Sequence, residues 1–141
     1  FRSLGMQPII VPVSSREDLA KAVADAARQR SQALVIPLGT AFSTPNAATL
    51  ADAAIRHELP TMASHRDRVT AGVLLTLMPD EAEQLQIFAY LADKILRGTK
   101  PSALPVLQPS KFLLSVNLKT AELLGLTVPP SILARADERI R

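Results

Sequence analysis

Cysteine is absent from these 141 residues, and aromatic side chains make up only 4%. The first absence excludes disulfides and thiolate chemistry, and it fits either a cytoplasmic or a periplasmic setting. The second leaves Ala, Leu, Ile and Val, within a hydrophobic share of 48%, to build whatever core a chain of single-domain size buries. No apolar run approaches the roughly 18 residues that span a bilayer. No Gly-x-Gly-x-x-Gly and no Walker loop occurs, so nucleotide binding has no motif to rest on. A net charge of +3 does not point to nucleic acid, because the basic residues are scattered: Arg28 and Arg30, Arg66 and Arg68, Lys94 and Arg97, Arg135 and Arg139. Most stand near carboxylates on helix faces, as on an ordinary mixed surface.

Catalytic and metal-binding patterns are equally scarce. Ser64 and His65 are neighbours, so in an extended segment their side chains diverge, and no third group is marked. The two histidines, His57 and His65, lack metal-ligand spacing and have no cysteine to help them. His57 falls near a helix C-terminus, the usual place for a solvated or dipole-stabilising histidine. Asp80 reads as a helix cap, and Arg66-Asp67-Arg68 as a charged surface turn. No catalytic residue, metal or cofactor is assigned.

What the chain does contain is a strand–helix alternation. Residues 7–13 (QPIIVPV) are a β-branched run that predicts a strand. Ser14 and Ser15, with Glu17 and Asp18 three residues later, form a capping-box pattern. The helix they open should reach about residue 30, with Leu19, Val23 and Ala26 or Ala27 facing inward. Residues 33–38 (ALVIPL) are continuously apolar, as expected of a parallel strand covered on both faces. After a loop, Thr44 is expected to cap a second helix with Pro45 in its first turn. Residues 61–63 and 72–77 complete the set of strands. The alternation predicts an α/β fold, a three-layer parallel sheet flanked by helices with right-handed crossovers.

Ligands in such folds bind at the carboxyl edge of the sheet, which the loops after Leu38, Ala63 and Leu77 would leave. Small polar groups collect there: Thr40, Ser43 and Thr44 after one strand, Ser64 and His65 after another, Thr76 near the end of a third. Phe42 adds one aromatic face. Hydroxyls, backbone amides and a helix N-terminus suit a grip on the carboxylate or amide of a small solute without reaction. Ser43 and Thr44 fit a plain capping role equally well.

Beyond Pro79 the pattern changes. Residues 80–97 predict a long helix whose apolar stripe, Leu85, Phe88, Ala89, Ala92, Ile95 and Leu96, follows helical spacing. Asp80 can cap it, Glu81 and Glu83 suit its N-terminus, Lys94 and Arg97 its C-terminus, and Gly98 stops it. Residues 99–109 hold three prolines and no period, as in a crossover between lobes. Residues 111–140 read as a strand, a short helix closed by Gly125, a Pro-Pro turn and a final amphipathic helix. At the other end, Phe1-Arg2-Ser3-Leu4-Gly5 reads as a helix terminus with its Gly stop, so the chain is expected to begin inside a larger protein.

Several strings together carry a resemblance. Ser15-Arg16-Glu17-Asp18-Leu19, Ala33-Leu34-Val35-Ile36-Pro37-Leu38 and Ile55-Arg56-His57-Glu58-Leu59-Pro60 lie in the first half, followed by Ala71-Gly72-Val73-Leu74-Leu75. Lys94-Ile95-Leu96-Arg97-Gly98-Thr99-Lys100-Pro101, Leu104-Pro105-Val106 and Gln108-Pro109 follow. Phe112, Asn117-Leu118-Lys119-Thr120-Ala121 and Leu124-Gly125-Leu126 complete the most specific part. With these the chain resembles the ABC substrate-binding proteins related to tryptophan and tyrosine importers, which have the type I periplasmic-binding fold of two closing lobes.

The resemblance implies a division of the chain. Residues 1–79 would form a partial C-terminal lobe, 80–109 a helix and crossover toward an absent N-terminal lobe, and 110–141 the segments completing the C-terminal lobe. It implies that the loop from Gly39 to Thr44 and the Ser64-His65 loop face the ligand, with the turn after Thr76 as a passage between lobes. Here the chain departs from its relatives, carrying Thr76-Leu77-Met78 where they often have Ser-Tyr-Gly. The implied function is the solute-binding component of an ABC importer, holding an amino acid or related compound reversibly and performing no covalent chemistry. Its partners would be the small-molecule solute and an ABC permease of the inner membrane, not nucleic acid. Its place would be the periplasm, or a lipid anchor at the outer face of the cytoplasmic membrane. The alternative is a cytoplasmic ligand-sensing domain of the same fold in a regulator. Without the first lobe, an apolar stripe and a strand edge would lie open, predicting a homodimer or a segment-exchanged oligomer.

Overall fold

The computed structural model describes residues 2–37 and 46–141. It carries one sheet whose strands lie side by side in chain order: β1 (Leu34–Ile36), β2 (Thr61–Ala63), β3 (Leu75–Pro79), β4 (Phe112–Asn117) and β5 (Glu138–Ile140). The helices are α1 (Asp18–Arg28), α2 (Ala47–Arg56), α3 (Asp67–Thr70), α4 (Glu81–Leu96), α5 (Leu118–Leu123) and α6 (Pro130–Arg135). The α/β architecture expected from the alternation is therefore present, with one departure from an all-parallel sheet. β1–β2, β2–β3 and β4–β5 pair in parallel, but β3–β4 is antiparallel. The cause is the path of the chain. It leaves the sheet at Pro79, runs out through α4 and the proline-rich stretch, and re-enters beside the point of exit, Pro79 lying opposite Phe112.

The core sits between the sheet and the first two helices. Leu19, Val23 and Ala26 of α1 and Leu50, Ala51, Ala53 and Ala54 of α2 are buried with Ile36, Leu59, Ala63 and Val73. Small alanines on α2 let the helices approach closely, which is how a chain poor in aromatics fills its interior. The opposite face of the sheet is less covered. Val35 is 54% exposed and Leu77 39%, so β1 is buried on one side only.

Three local expectations are revised. Residues 7–13 form no strand, although Val11 and Val13 pack on the core while Ile10 stands 89% exposed. The alternation is there but no neighbour supplies hydrogen bonds, and β1, at the end of the sheet, has only β2 beside it. The entry to α1 has no side-chain cap on the backbone; Ser15 Oγ instead donates to Asp18 Oδ2 at 2.8 Å. The last helix stops at Arg135, and residues 138–140 become β5. Leu114 and Asp137 draw this strand in: Asp137 N donates to Leu114 O at 2.9 Å, and Leu114 N donates to Asp137 Oδ2 at 2.8 Å. The expected cap at Thr44 and Pro45 lies outside the described residues, and α2 begins after Asn46.

Asn117 explains why the string after β4 is specific. Its Nδ2 donates to Val69 O at 2.8 Å, and its Oδ1 accepts from Thr120 N at 2.9 Å, capping α5. Thr120 Oγ1 donates to Gly72 O at 2.9 Å. Two side chains from the returning segment thus bond backbone carbonyls around α3. A hydrophobic residue at position 120 would take the side-chain donor from Gly72 O, and one at 117 would leave Val69 O only Gly72 N at 3.2 Å.

Candidate functional site

The three strands β1, β2 and β3 end on the same edge of the sheet, since they run in parallel. Of the residues expected there, Gly39, Thr40, Phe42, Ser43 and Thr44 lie outside the described residues. Ser64 and His65 follow β2 directly and are both half-buried. The Ser64 hydroxyl and the His65 Nδ1 are buried atoms without a hydrogen-bond partner among the described residues. The acid nearest to Nδ1 is Asp67, whose Oδ2 is 3.6 Å away, beyond hydrogen-bond reach. No hydrogen bond joins Ser64 to His65, so neither activates the other as a nucleophile and base would.

Thr76 occupies a different place from the one expected. β3 starts at Leu75 rather than at residue 72, so Thr76 lies near the beginning of its strand, fully buried. It stands opposite Ala63 on one side and Ser115 on the other, and Ser115 stands opposite Glu138. Its hydroxyl, too, has no partner among the described residues. Buried polar groups are normally paired, so such hydroxyls mark places where a water or a ligand completes the set.

Residues the sequence did not single out complete this region. Arg66, read as part of a surface turn, reaches across the sheet to Glu138, with Nε at 2.9 Å from Oε2 and Nη2 at 2.6 Å from Oε1. Ser115 Oγ donates to the same carboxylate at 3.2 Å. With Met78, Leu113 and Asp137 these residues line a cleft of about 270 Å³. The hydrogen bond from Arg66, opposed by burial and aided by Ser115, holds the Glu138 carboxyl below its ordinary value, and the same pairing raises Arg66. Arg68, the other half of the supposed surface turn, is buried, and burial lowers its pKa. Its Nη1 donates to Pro37 O at 3.5 Å, tying the turn after β2 to the end of β1. A larger recess of about 430 Å³ lies along Gly5, Met6, Gln7 and Pro8, but no charged side chain lines it.

The edge therefore offers unpaired hydroxyls, an imidazole nitrogen and a neutralised ion pair. These are groups that hold a small polar molecule. Among the described residues no cluster of three His, Cys, Asp or Glu side chains could take a metal ion, and no helix is long and apolar enough to cross a membrane.

Comparison with known proteins adds the following. Residues 3–140 match a family model described as ABC transporter substrate binding protein. No curated protein matches the chain. Among solved structures, a conserved domain protein from Vibrio cholerae superposes with a TM-score of 0.84 at 22% identity, over 98% of this chain and 46% of that one. An ABC domain from Streptococcus pneumoniae in complex with L-Trp gives 0.80 at 24% identity, over 99% of this chain and 48% of that one. A ligand-free, open substrate-binding protein with adhesive properties from Clostridium difficile gives 0.68 at 16% identity, over 92% and 43%. Identities this low establish the shared fold, and the chain spans about half the length of these structures.

Proposed function

Because the chain belongs to the ABC transporter substrate-binding protein family, whose members are receptors and not enzymes, we propose that it forms one lobe of a solute receptor for an ABC importer. The solute is an amino acid or a related aromatic or carboxylated compound. It is held at the carboxyl edge of β1 to β3 by the loop from Gly39 to Thr44, by Ser64 and His65, and through Thr76. A second lobe, contributed by the rest of a longer protein, closes over it, and the closed state is read by a permease in the inner membrane. The receptor works in the periplasm or from a lipid anchor on the outer face of that membrane. Residues 1–79 and 110–141 form the lobe, and 80–109 lead to and from its partner.

One observation carries the reading: among the described residues, Ser64 just after β2 and Thr76 on the neighbouring β3 keep buried hydroxyls without partners. A reversible ligand supplies what they lack, and its exchange leaves the protein unchanged. L-Trp, bound by the Streptococcus structure, is the first compound to try.

Calorimetric titration of the full-length protein with the twenty amino acids tests the proposal. At least one should bind saturably, and Ser64→Ala should weaken it about tenfold, the worth of one net hydrogen bond. A folded full-length protein that binds none of them would overturn the amino-acid assignment, and chemical turnover of a bound solute would overturn the receptor itself.

A further inference from the structure

Where the chain leaves and re-enters the sheet, polar contacts gather that no helix start requires. Asp80 N donates to Lys111 O at 2.9 Å, extending the β3–β4 ladder by one rung. Asp80 Oδ1 accepts from Ala82 N at 2.9 Å, which caps α4, and its Oδ2 lies 2.7 Å from Lys111 Nζ. Glu83, one turn into α4, adds the rest. Its Oε1 accepts from Ser110 N at 3.0 Å and from Ser110 Oγ at 2.7 Å. Its Oε2 accepts from Lys111 N at 2.9 Å and shares Ser110 N at 3.0 Å.

A carboxylate at this position of a helix usually turns back to the N-terminal backbone, as in a capping box. Here the N–H of Asp80 is already given to Lys111 O, and Glu83 points instead to the returning strand. Apolar packing holds α4 only loosely, for none of its residues is buried and of its apolar side chains only Ile87 and Leu91 are half-buried. Leu85 is 66% exposed and Leu96 87%. The direction of a sixteen-residue helix thus falls largely to the polar contacts at one end. Charge-assisted hydrogen bonds with fixed geometry are suited to the task, since they define an angle where a hydrophobic contact defines only an approach.

We propose that Glu83 is a positioning residue: with Asp80 and Lys111 it bolts α4 to the returning strand, so that both crossings act as one stalk and set the angle between the sheet and what α4 carries. The receptor reading is needed only to say that α4 carries the second lobe. There, the stalk limits how far the lobes splay when empty, and so how much of the population is ready to close on solute.

The absence of cysteine allows clean spin labelling within this chain. Nitroxides at Gln86→Cys and Glu122→Cys, both exposed, report the angle of α4 by double electron–electron resonance in the full-length protein, diluted with unlabelled protein. Glu83→Ala should broaden the distance distribution to at least about twice its width, while the thermal midpoint stays within the few degrees of a surface substitution. Lys111→Met should broaden it less, because the contacts of Glu83 to backbone remain. Glu83→Gln should fall between, its amide turning one donor toward donors. Unchanged widths in Glu83→Ala and Glu83→Gln would overturn the proposal. Solute binding by the wild-type protein, measured separately, reports on the receptor reading and leaves this result unaffected.

Discussion

Arg66 and Glu138 stand 72 positions apart in sequence and meet in a two-pronged ion pair, Nη2 to Oε1 at 2.6 Å and Nε to Oε2 at 2.9 Å. The pair joins the turn after β2 to the last strand, skipping two strands of the sheet. β5 has three residues and one neighbour, so few backbone hydrogen bonds hold it. A side-chain clamp from the far side of β3 and β4 adds to the Leu114–Asp137 contacts in holding so short a strand.

The clamp is expected to give stability an acid limb. Glu138 titrates below its ordinary value of 4.5 in the folded protein, chiefly because Arg66 hydrogen-bonds to it. Unfolded, it returns to that value. The contribution is therefore complete above the ordinary value and disappears as pH falls through the lowered one. Asp80 and Glu83, lowered first by Lys111 and by Ser110 respectively, act with the same sign. Urea midpoints measured from neutral pH down to about pH 3 should fall for the wild type and fall less steeply for Glu138→Gln. Parallel curves would contradict the assignment.

The sequence showed the sheet's inner strands and the long helix because those rest on local periodicity. Thr61–Ala63 and Glu81–Leu96 have their apolar spacing and caps within reach of one another. The sequence around β5 reads as a helix end because nothing near Glu138 marks a strand; its partners are Leu114 and Arg66, far away along the chain. For the same reason Arg66-Asp67-Arg68 read as a surface turn. Charged residues give no sign of burial until the carbonyl of Pro37 or the carboxylate of Glu138 is brought to them. The strand expected at residues 7–13 failed in the opposite way: its pattern is sound, but pairing is a property of two strands. At the site, small polar residues marked the edge, while the cleft's ionic half came from residues with no motif.

Asn117→Ala should be among the more damaging single changes. It removes the cap of α5 and takes from the carbonyl of Val69 its Asn117 donor, leaving it Gly72 N at 3.2 Å. Losing a cap costs about 1 kcal/mol, and losing one hydrogen bond to a carbonyl that keeps another donor adds about 0.5–1.5 kcal/mol. Asn117→Asp keeps the cap oxygen but not the donor, so it should lie between wild type and alanine in equilibrium denaturation. An alanine variant within about 0.5 kcal/mol of wild type would show that water fills the place.

Two left-handed positions should respond in opposite directions. Gly72 has φ +107, and a Cβ there would meet the Ala51 Cβ at 3.1 Å on helix α2. Gly72→Ala combines backbone strain with overpacking against a fully buried residue, and should cost about 2–3 kcal/mol. Glu58 ends α2 at φ 54, with Leu59 N donating back to Ala54 O at 2.9 Å, the geometry glycine is favoured for. Glu58→Gly relieves about 1 kcal/mol of backbone strain, less part of that in added unfolded-state freedom. A small rise in denaturation midpoint is expected, and a fall would mean that the Glu58 side chain makes a contact worth more than the strain.

The exposed stripe of α4 bears on self-association. Leu85 (66%), Phe88 (62%), Ile95 (44%) and Leu96 (87%) are exposed at spacings that put them along one side of the helix. A contiguous apolar surface of this kind is normally covered. The sheet adds to it, with β1 offering an unpaired edge at its outer side. Made alone, these 141 residues should therefore associate at micromolar concentration, as a homodimer or by exchange of a segment. Burying each large side chain contributes about 1.5–3 kcal/mol, so Phe88→Glu with Leu96→Glu should weaken association at least about a hundredfold. Light scattering of the two forms decides it: a wild-type chain already monomeric at that concentration would mean that the stripe tolerates water, and that neither a second copy nor the open edge draws it into an assembly.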